Sequence, residues 1–163
     1  MEALAAIGPA ARPALPLMLQ ESARYLKIER RTEQDEFRAC LPPMVIATMG
    51  PEVVPELIRT LDDLREQYPD AAVNAINCMV NEVRCKGSAG YRSALPHLIR
   101  GLACPNRGAK LACARLLGEM GEDALEAVPA LVTLSEETDP IVRQTAAVAV
   151  ILISNSAKNR SAP

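Results

Sequence analysis

Four stretches of the chain repeat one outline, a proline followed by aliphatic residues at helical spacing. They are "PLMLQ" from Pro16, "PELIRTL" from Pro55, "PHLIRGL" from Pro96 and "PALVTL" from Pro129. Leu57, Ile58 and Leu61, like Leu98, Ile99 and Leu102, recur at the interval of one helix face. A proline in the first turn of a helix lacks only an N–H that would have no intrahelical partner, so these prolines predict helix starts. A glycine before the proline predicts the end of the preceding helix. In "IGPAARPALPLML" and "MGEDALEAVPALVTL" the proline stands eight places past the glycine, at Gly8/Pro16 and Gly121/Pro129, and Gly50/Pro55 is a shorter version. The step from one of the four prolines to the next is the period of a helical-hairpin solenoid.

The rule divides the chain. A helical stub, Glu2 to Ile7, ends at Gly8, and a helix runs from about Pro13 to Arg31. The next spans about Glu33 to Met49, with a kink expected at Pro42-Pro43. Pro51 or Pro55 opens a helix to about Tyr68, and Pro69 opens another to about Cys85. Lys86 to Gly90 reads as a loop, followed by helices over Tyr91–Leu102, Asn106–Met120 and Asp123–Glu136. Asp139-Pro140 caps a last helix through about Ile153. The polar "SNSAKNRSAP" has no core face, which predicts one domain over 1–153 and a disordered tail over 154–163.

The last helix carries Val148, Val150, Ile151, Leu152 and Ile153, which is apolar on more than one face. A terminal repeat in water needs a polar outer face. The sequence therefore predicts either continuation in a longer array or docking on another chain, including self-association through Asp139–Ile153.

Composition narrows the class. The 163 residues hold one Phe, three Tyr and no Trp, so the core must be built from Ala, Leu, Val, Ile and Met, which suits close-packed helices. A net charge of −2 gives no global attraction to nucleic acid or anionic membrane. No apolar run approaches the roughly 18 residues of a membrane span, and Met1-Glu2 is not followed by a basic leader. Cys40, Cys78, Cys85, Cys104 and Cys113 lack disulfide-framework spacing and read as buried thiols in a reducing, cytoplasmic compartment.

"DPIVRQTAAVAVILIS", from Asp139, closely resembles the first helix of a HEAT repeat of the phycobilisome-lyase-like subclass, with Asp139, Pro140, Arg143, Ala146 and Ala147 on the pattern. "NRGAKLACARLLGEMG" fits the same frame, with Asn106 for Asp, Lys110 for Arg and Cys113-Ala114 for the Ala pair. Ala127–Leu134 and Ala14–Leu19 resemble the second helix, "AVPALxxL". Pro42-Pro43 fall where the Ala pair is expected, and the pattern assigns no register to Asp70–Cys85. The resemblance implies an all-α fold, a right-handed α-solenoid of about four stacked hairpins, with Asp139 and Arg143 supporting the stacking and Asp35 and Lys110 in equivalent posts. It implies a fold and not a function.

Catalytic chemistry has little to work with. His97 is the only histidine, and the chain has no nucleophile elbow, Walker loop or dinucleotide fingerprint. No cysteine pair has zinc spacing, so no metal and no cofactor is expected. Arg24, Lys27 and Arg31, with Arg30 beside them, form a basic stripe diluted by Glu21 and Glu29, with no aromatics to stack on bases; no nucleic-acid partner is expected.

Aligning the prolines gives the sharpest site. Gln20, Arg59, Arg100 and Thr133 stand four places past them, and Leu17, Glu56, His97 and Ala130 one place past. The resemblance implies that second helices line a concave groove, where Arg59 and Arg100 would offer paired guanidiniums to carboxylates or phosphates of a protein partner. The bland alternative is that both pair with Glu56, Asp62 or Asp63, or simply face water. The leading function is thus a non-enzymatic protein-interaction scaffold. A bilin-lyase-like enzyme or accessory subunit, for which Cys85, Tyr91 and His97 are the available candidates, and a self-assembling structural protein are the alternatives.

Overall fold

The computed structural model describes residues 8–27, 32–62 and 69–161. The expected stub Glu2–Ile7, the basic residues Arg30 and Arg31, Asp63, and the helix ends at Arg31 and Tyr68 lie outside the described residues. Every described element is helical, so the chain is all-α. The α-helices are α1 (Leu15–Leu26), α2 (Glu33–Thr48), α3 (Val54–Asp62), α4 (Pro69–Lys86), α5 (Leu95–Leu102), α6 (Arg107–Met120), α7 (Val128–Leu134) and α8 (Pro140–Ser161).

They form two layers. The even-numbered helices pack in order, α2 on α4, α4 on α6 and α6 on α8, and α3, α5 and α7 follow one another on the other side. Each odd helix also packs on the even helix that follows it in the chain. α1 departs slightly, resting on α4 as well as on α2.

The punctuation has the predicted role with one addition. Pro16, Pro55, Pro96 and Pro129 each occupy the second position of their helix. Before each comes a 3₁₀ segment, Gly8–Ala14, Pro51–Val53, Ala89–Ala94 and Gly121–Ala127, and these pack one on the next. The sequence merges them into α-helices starting at Pro13, Tyr91 and Asp123, because the apolar positions of a tight turn and of an α-turn nearly coincide. Gly50, Gly87 and Gly121 end α2, α4 and α6 with φ of +85°, +88° and +59°, a conformation that side-chain-bearing residues rarely adopt. Gly87 belongs to this series, although its Ser/Gly-rich surroundings read as a plain loop.

Burial fixes the register that the sequence pattern leaves open. Four buried positions with the same internal spacing recur on three helices. They are Ala72, Ile76, Met79 and Val83 on α4, Ala109, Cys113, Leu116 and Met120 on α6, and Val142, Ala146, Ala149 and Ile153 on α8. On α2 the last three of the set are Ala39, Pro42 and Ile46, all buried. Ala39-Cys40, and not Pro42-Pro43, therefore hold the positions of Ala146-Ala147. α2 runs unbroken as one helix through both prolines, where the sequence predicts an interruption.

The last helix reaches Ser161, about two turns beyond the expected Ile153. Gly121 packs so closely on Ser156 that an added Cβ would lie 2.7 Å from the serine hydroxyl. Pro140–Asn159 is the one described segment long and apolar enough to cross a membrane by length and composition, with mean hydropathy 1.2, which corrects the expectation that no apolar run approaches that length. Its buried residues, Val142, Ala146, Ala149 and Ile153, form the stripe that faces the core.

Candidate interaction surfaces

The odd-numbered layer carries the proline-aligned residues. Gln20, Arg59, Arg100 and Thr133 are all exposed, one each on α1, α3, α5 and α7, because the fourth position past each proline lies away from the buried stripe. Glu56 and His97 are half-buried on α3 and α5. The two arginines each have a carboxylate. Arg59 Nη2 lies 2.7 Å from Glu56 Oε1 on its own helix, and Arg100 Nη2 lies 2.5 Å from Asp62 Oδ2 across the α3–α5 seam. These arginine side chains are 59% and 66% exposed, so each pair contributes at most about 1 kcal/mol and exchanges readily with an external carboxylate. Thr133 Oγ1 donates to Pro129 O at 3.2 Å.

Shallow clefts run between the odd helices. One of about 360 Å³ separates α5 from α7, lined by Ile99, Leu102, Ala130 and Thr133 with the Lys110–Glu137 ion pair at its edge. Another of about 290 Å³ lies between Arg12, Pro13, Pro16 and Glu56. Leu17 and Val132, exposed at 65% and 46%, add apolar surface on this side.

The even-numbered layer has two further clefts. That between α6 and α8, about 330 Å³, is lined by Ala114, Gly118, Gln144, Val148 and Leu152, with Arg84 and Glu119 at the rim. That between α2 and α4, about 510 Å³, is lined by Cys40, Leu41, Met44, Cys78, Asn81 and Glu82.

Several exposed charged pairs bridge neighbouring elements. Arg84 pairs with Glu119, Arg92 with Asp123 and Arg107 with Asp139, each at 2.5 Å. In every case the partner stands about one proline-to-proline step further along the chain, on a neighbouring element. Asp139 also caps α8, its Oδ1 accepting from Ile141 N at 2.8 Å and Val142 N at 3.2 Å. The Arg107 hydrogen bond, with those backbone donors, outweighs an opposing desolvation and lowers the Asp139 pKa to about 2. Arg143 Nη1 donates to Glu137 O at 3.4 Å, and Lys110 pairs with Glu137. Asp35 is not itself the cap of α2: Thr32 is, and Asp35 closes a capping box, accepting from Thr32 N at 3.1 Å while its own N–H donates to Thr32 Oγ1 at 3.2 Å.

The cysteines divide. Cys104 and Cys113 are buried, and burial pushes both thiols up; Cys104 Sγ donates to Leu61 O at 3.1 Å. Cys78 is half-buried, while Cys40 and Cys85 are exposed, which corrects the expectation of uniformly buried thiols. The reason is position: Cys40 stands one place past buried Ala39 and Cys85 two places past buried Val83, both off the stripe that faces the core. Cys40 and Cys78 line one cleft, although sequence spacing discounts both. Their signal in the sequence is a separation close to that between successive prolines of the repeat.

The enzyme candidates lie on three separate elements. Cys85 is exposed near the end of α4, Tyr91 is buried in the 3₁₀ segment after it, and His97 is half-buried on α5. None of the three lines any of the four clefts above. Burial, with the nearby carboxylates of Glu82 and Glu52, pushes the Tyr91 pKa up to about 12. In the basic stripe Arg24 and Lys27 are exposed, and Arg38 of α2 stacks 5.9 Å over the Tyr25 ring. No protein-family model and no curated protein matches the chain.

Proposed function

We propose that the chain is a non-enzymatic binding scaffold, a right-handed solenoid of about four HEAT-like hairpins that takes an acidic peptide or protein segment along its odd-numbered helices. The observation that carries this reading is the row Gln20, Arg59, Arg100 and Thr133, exposed at one equivalent position on successive helices with shallow clefts between them. A row at helix spacing, about 8–10 Å, matches every third residue of a polyproline-II segment, which has three residues per turn and rises about 3.1 Å per residue. Partner carboxylates would displace Glu56 and Asp62 from two exposed arginines, exchanging one weak ion pair for another while Leu17 and Val132 gain apolar cover.

Selection from a displayed peptide library tests it. The purified chain is expected to enrich peptides with carboxylates at every third position. An Arg59→Glu/Arg100→Glu double variant is expected to lose them. Enrichment that persists in the double variant, or no enrichment by the wild type, sinks the reading.

A second reading rests on α8, which exposes Ile141, Val148, Ile151 and Leu152 at 42–56%. No charged residue lies between Arg143 and Lys158. A face of this kind supports association of two copies of the chain.

A further inference from the structure

The α2–α4 cleft gathers three sulfur side chains. Cys40 and Met44 stand one turn apart on α2, so they share a face, and Cys78 stands opposite on α4, which packs directly against α2. All three line the same space of about 510 Å³, with the aliphatic Leu41 and Val45 around them. The one carboxylate that lines the cleft is engaged elsewhere, since Glu82 Oε2 pairs with Lys86 Nζ at 2.5 Å.

This donor set is selective. Thiolate and thioether sulfur are soft ligands that favour monovalent copper, which is satisfied by two or three of them. Zinc in a structural site takes four nitrogen, sulfur or oxygen ligands, and among the described residues no three His, Cys, Asp or Glu side chains converge on one point. The remaining cysteines differ in kind. Cys104 and Cys113 are enclosed in the core, and Cys85 lines none of the four clefts.

We propose that this cleft is a copper(I) site, with Cys40 Sγ and Cys78 Sγ as the two thiolate ligands and Met44 Sδ as the third donor. As the ion enters, each thiol releases its proton to solvent and forms one copper–sulfur bond. Copper stays monovalent, no electron moves, and the filled site carries a net charge of −1. The ion clamps α2 to α4 on the face opposite the peptide-binding row.

Anaerobic competition between the reduced full chain and a chromogenic copper(I) chelator tests the assignment. The wild type is expected to withdraw one equivalent of copper(I). Cys40→Ser and Cys78→Ser are each expected to lose it, Met44→Leu to hold it more weakly, and Cys85→Ser to hold it as the wild type does. Far-UV circular dichroism of each variant separates lost ligation from lost fold, and Cys40, being exposed, is the substitution least able to disturb the core. A wild type that leaves copper with the chelator overturns the proposal. So does a folded Cys40→Ser or Cys78→Ser variant that still takes an equivalent. Zinc retained on the same two cysteines in a parallel titration overturns the choice of metal.

Discussion

Ser22 Oγ, buried on α1, donates a hydrogen bond to the carbonyl oxygen of Ala39 on α2 at 2.9 Å. That carbonyl is the one an uninterrupted helix would pair with the N–H at position 43, and position 43 is proline. A hydroxyl from the neighbouring helix thus supplies the donor that the chain's own backbone lacks. The second vacated carbonyl, that of Arg38, belongs to an exposed residue. This is why α2 carries two consecutive prolines without a break.

Ser22→Ala leaves the Ala39 carbonyl buried and unpaired, which costs about 1–3 kcal/mol. Urea unfolding is expected to show a lower midpoint with an unchanged slope. Pro43→Ala restores an internal donor, so the penalty of Ser22→Ala is expected to shrink in that background. Equal penalties in both backgrounds would refute the assignment of this hydrogen bond.

Gly101 of α5 marks a second tight seam. A Cβ there would lie 2.5 Å from Cys113 Sγ and 2.8 Å from Ile58 Cδ1, against α6 and α3 together. Gly101→Ala gains about 1 kcal/mol of helix propensity, yet overpacking a close-packed core costs about 1–3 kcal/mol. Net destabilisation is expected in thermal melts. Cys113→Ala in the same chain removes the nearer obstacle and is expected to return part of the loss. A Gly101→Ala variant more stable than the wild type would show that the seam has slack.

How much of this was legible beforehand depends on the range of each interaction. The proline starts at Pro16, Pro55, Pro96 and Pro129 and the stop at Gly121 are local steric rules, and they read directly from sequence. The unbroken α2 is not local, because its compensation comes from Ser22 on another helix. Arg59 with Glu56 and Arg100 with Asp62 correspond to the bland alternative the sequence offers. The geometry turns Arg100 from a groove residue alone into a link between α3 and α5. The partners of Arg84, Arg92 and Arg107 lie on neighbouring elements distant in sequence, so only a known register discloses them. Cys40 and Cys78 meet for the same reason.

The Arg107–Asp139 pair makes stability depend on pH in a definite direction. The Asp139 pKa falls from an ordinary 3.8 to about 2 in the folded chain. A lowered carboxylate pKa stabilises the fold above the unfolded value, and that contribution is lost as pH falls from about 4 to about 2. Asp139→Asn keeps a side-chain oxygen for the α8 cap but removes the charge. The melting temperatures of wild type and Asp139→Asn are expected to differ at pH 6 and to converge by about pH 2. A difference that stays constant over that range would show that the charge on Asp139 contributes nothing.

The exposed face of α8 gives the last prediction. In the register set by the buried stripe, where Ala149 of α8 matches Leu116 of α6, Ile151 matches Gly118. Gly118 lets α8 approach so closely that an added Cβ would lie 3.2 Å from Ala149 Cα. Ile151 admits no helix at that distance, yet it is 56% exposed beside Val148 at 47%. A contact with a second copy, meeting side chain to side chain, suits such a ridge better than another repeat stacked in register. Static light scattering of the full chain is expected to show a mass that rises with concentration toward twice 17.5 kDa. Val148→Glu/Ile151→Glu is expected to hold the mass at one chain and to leave the far-UV circular dichroism unchanged, because both side chains are about half exposed on the single chain. A wild type that stays at one chain mass across the concentration series removes this face as a self-association site.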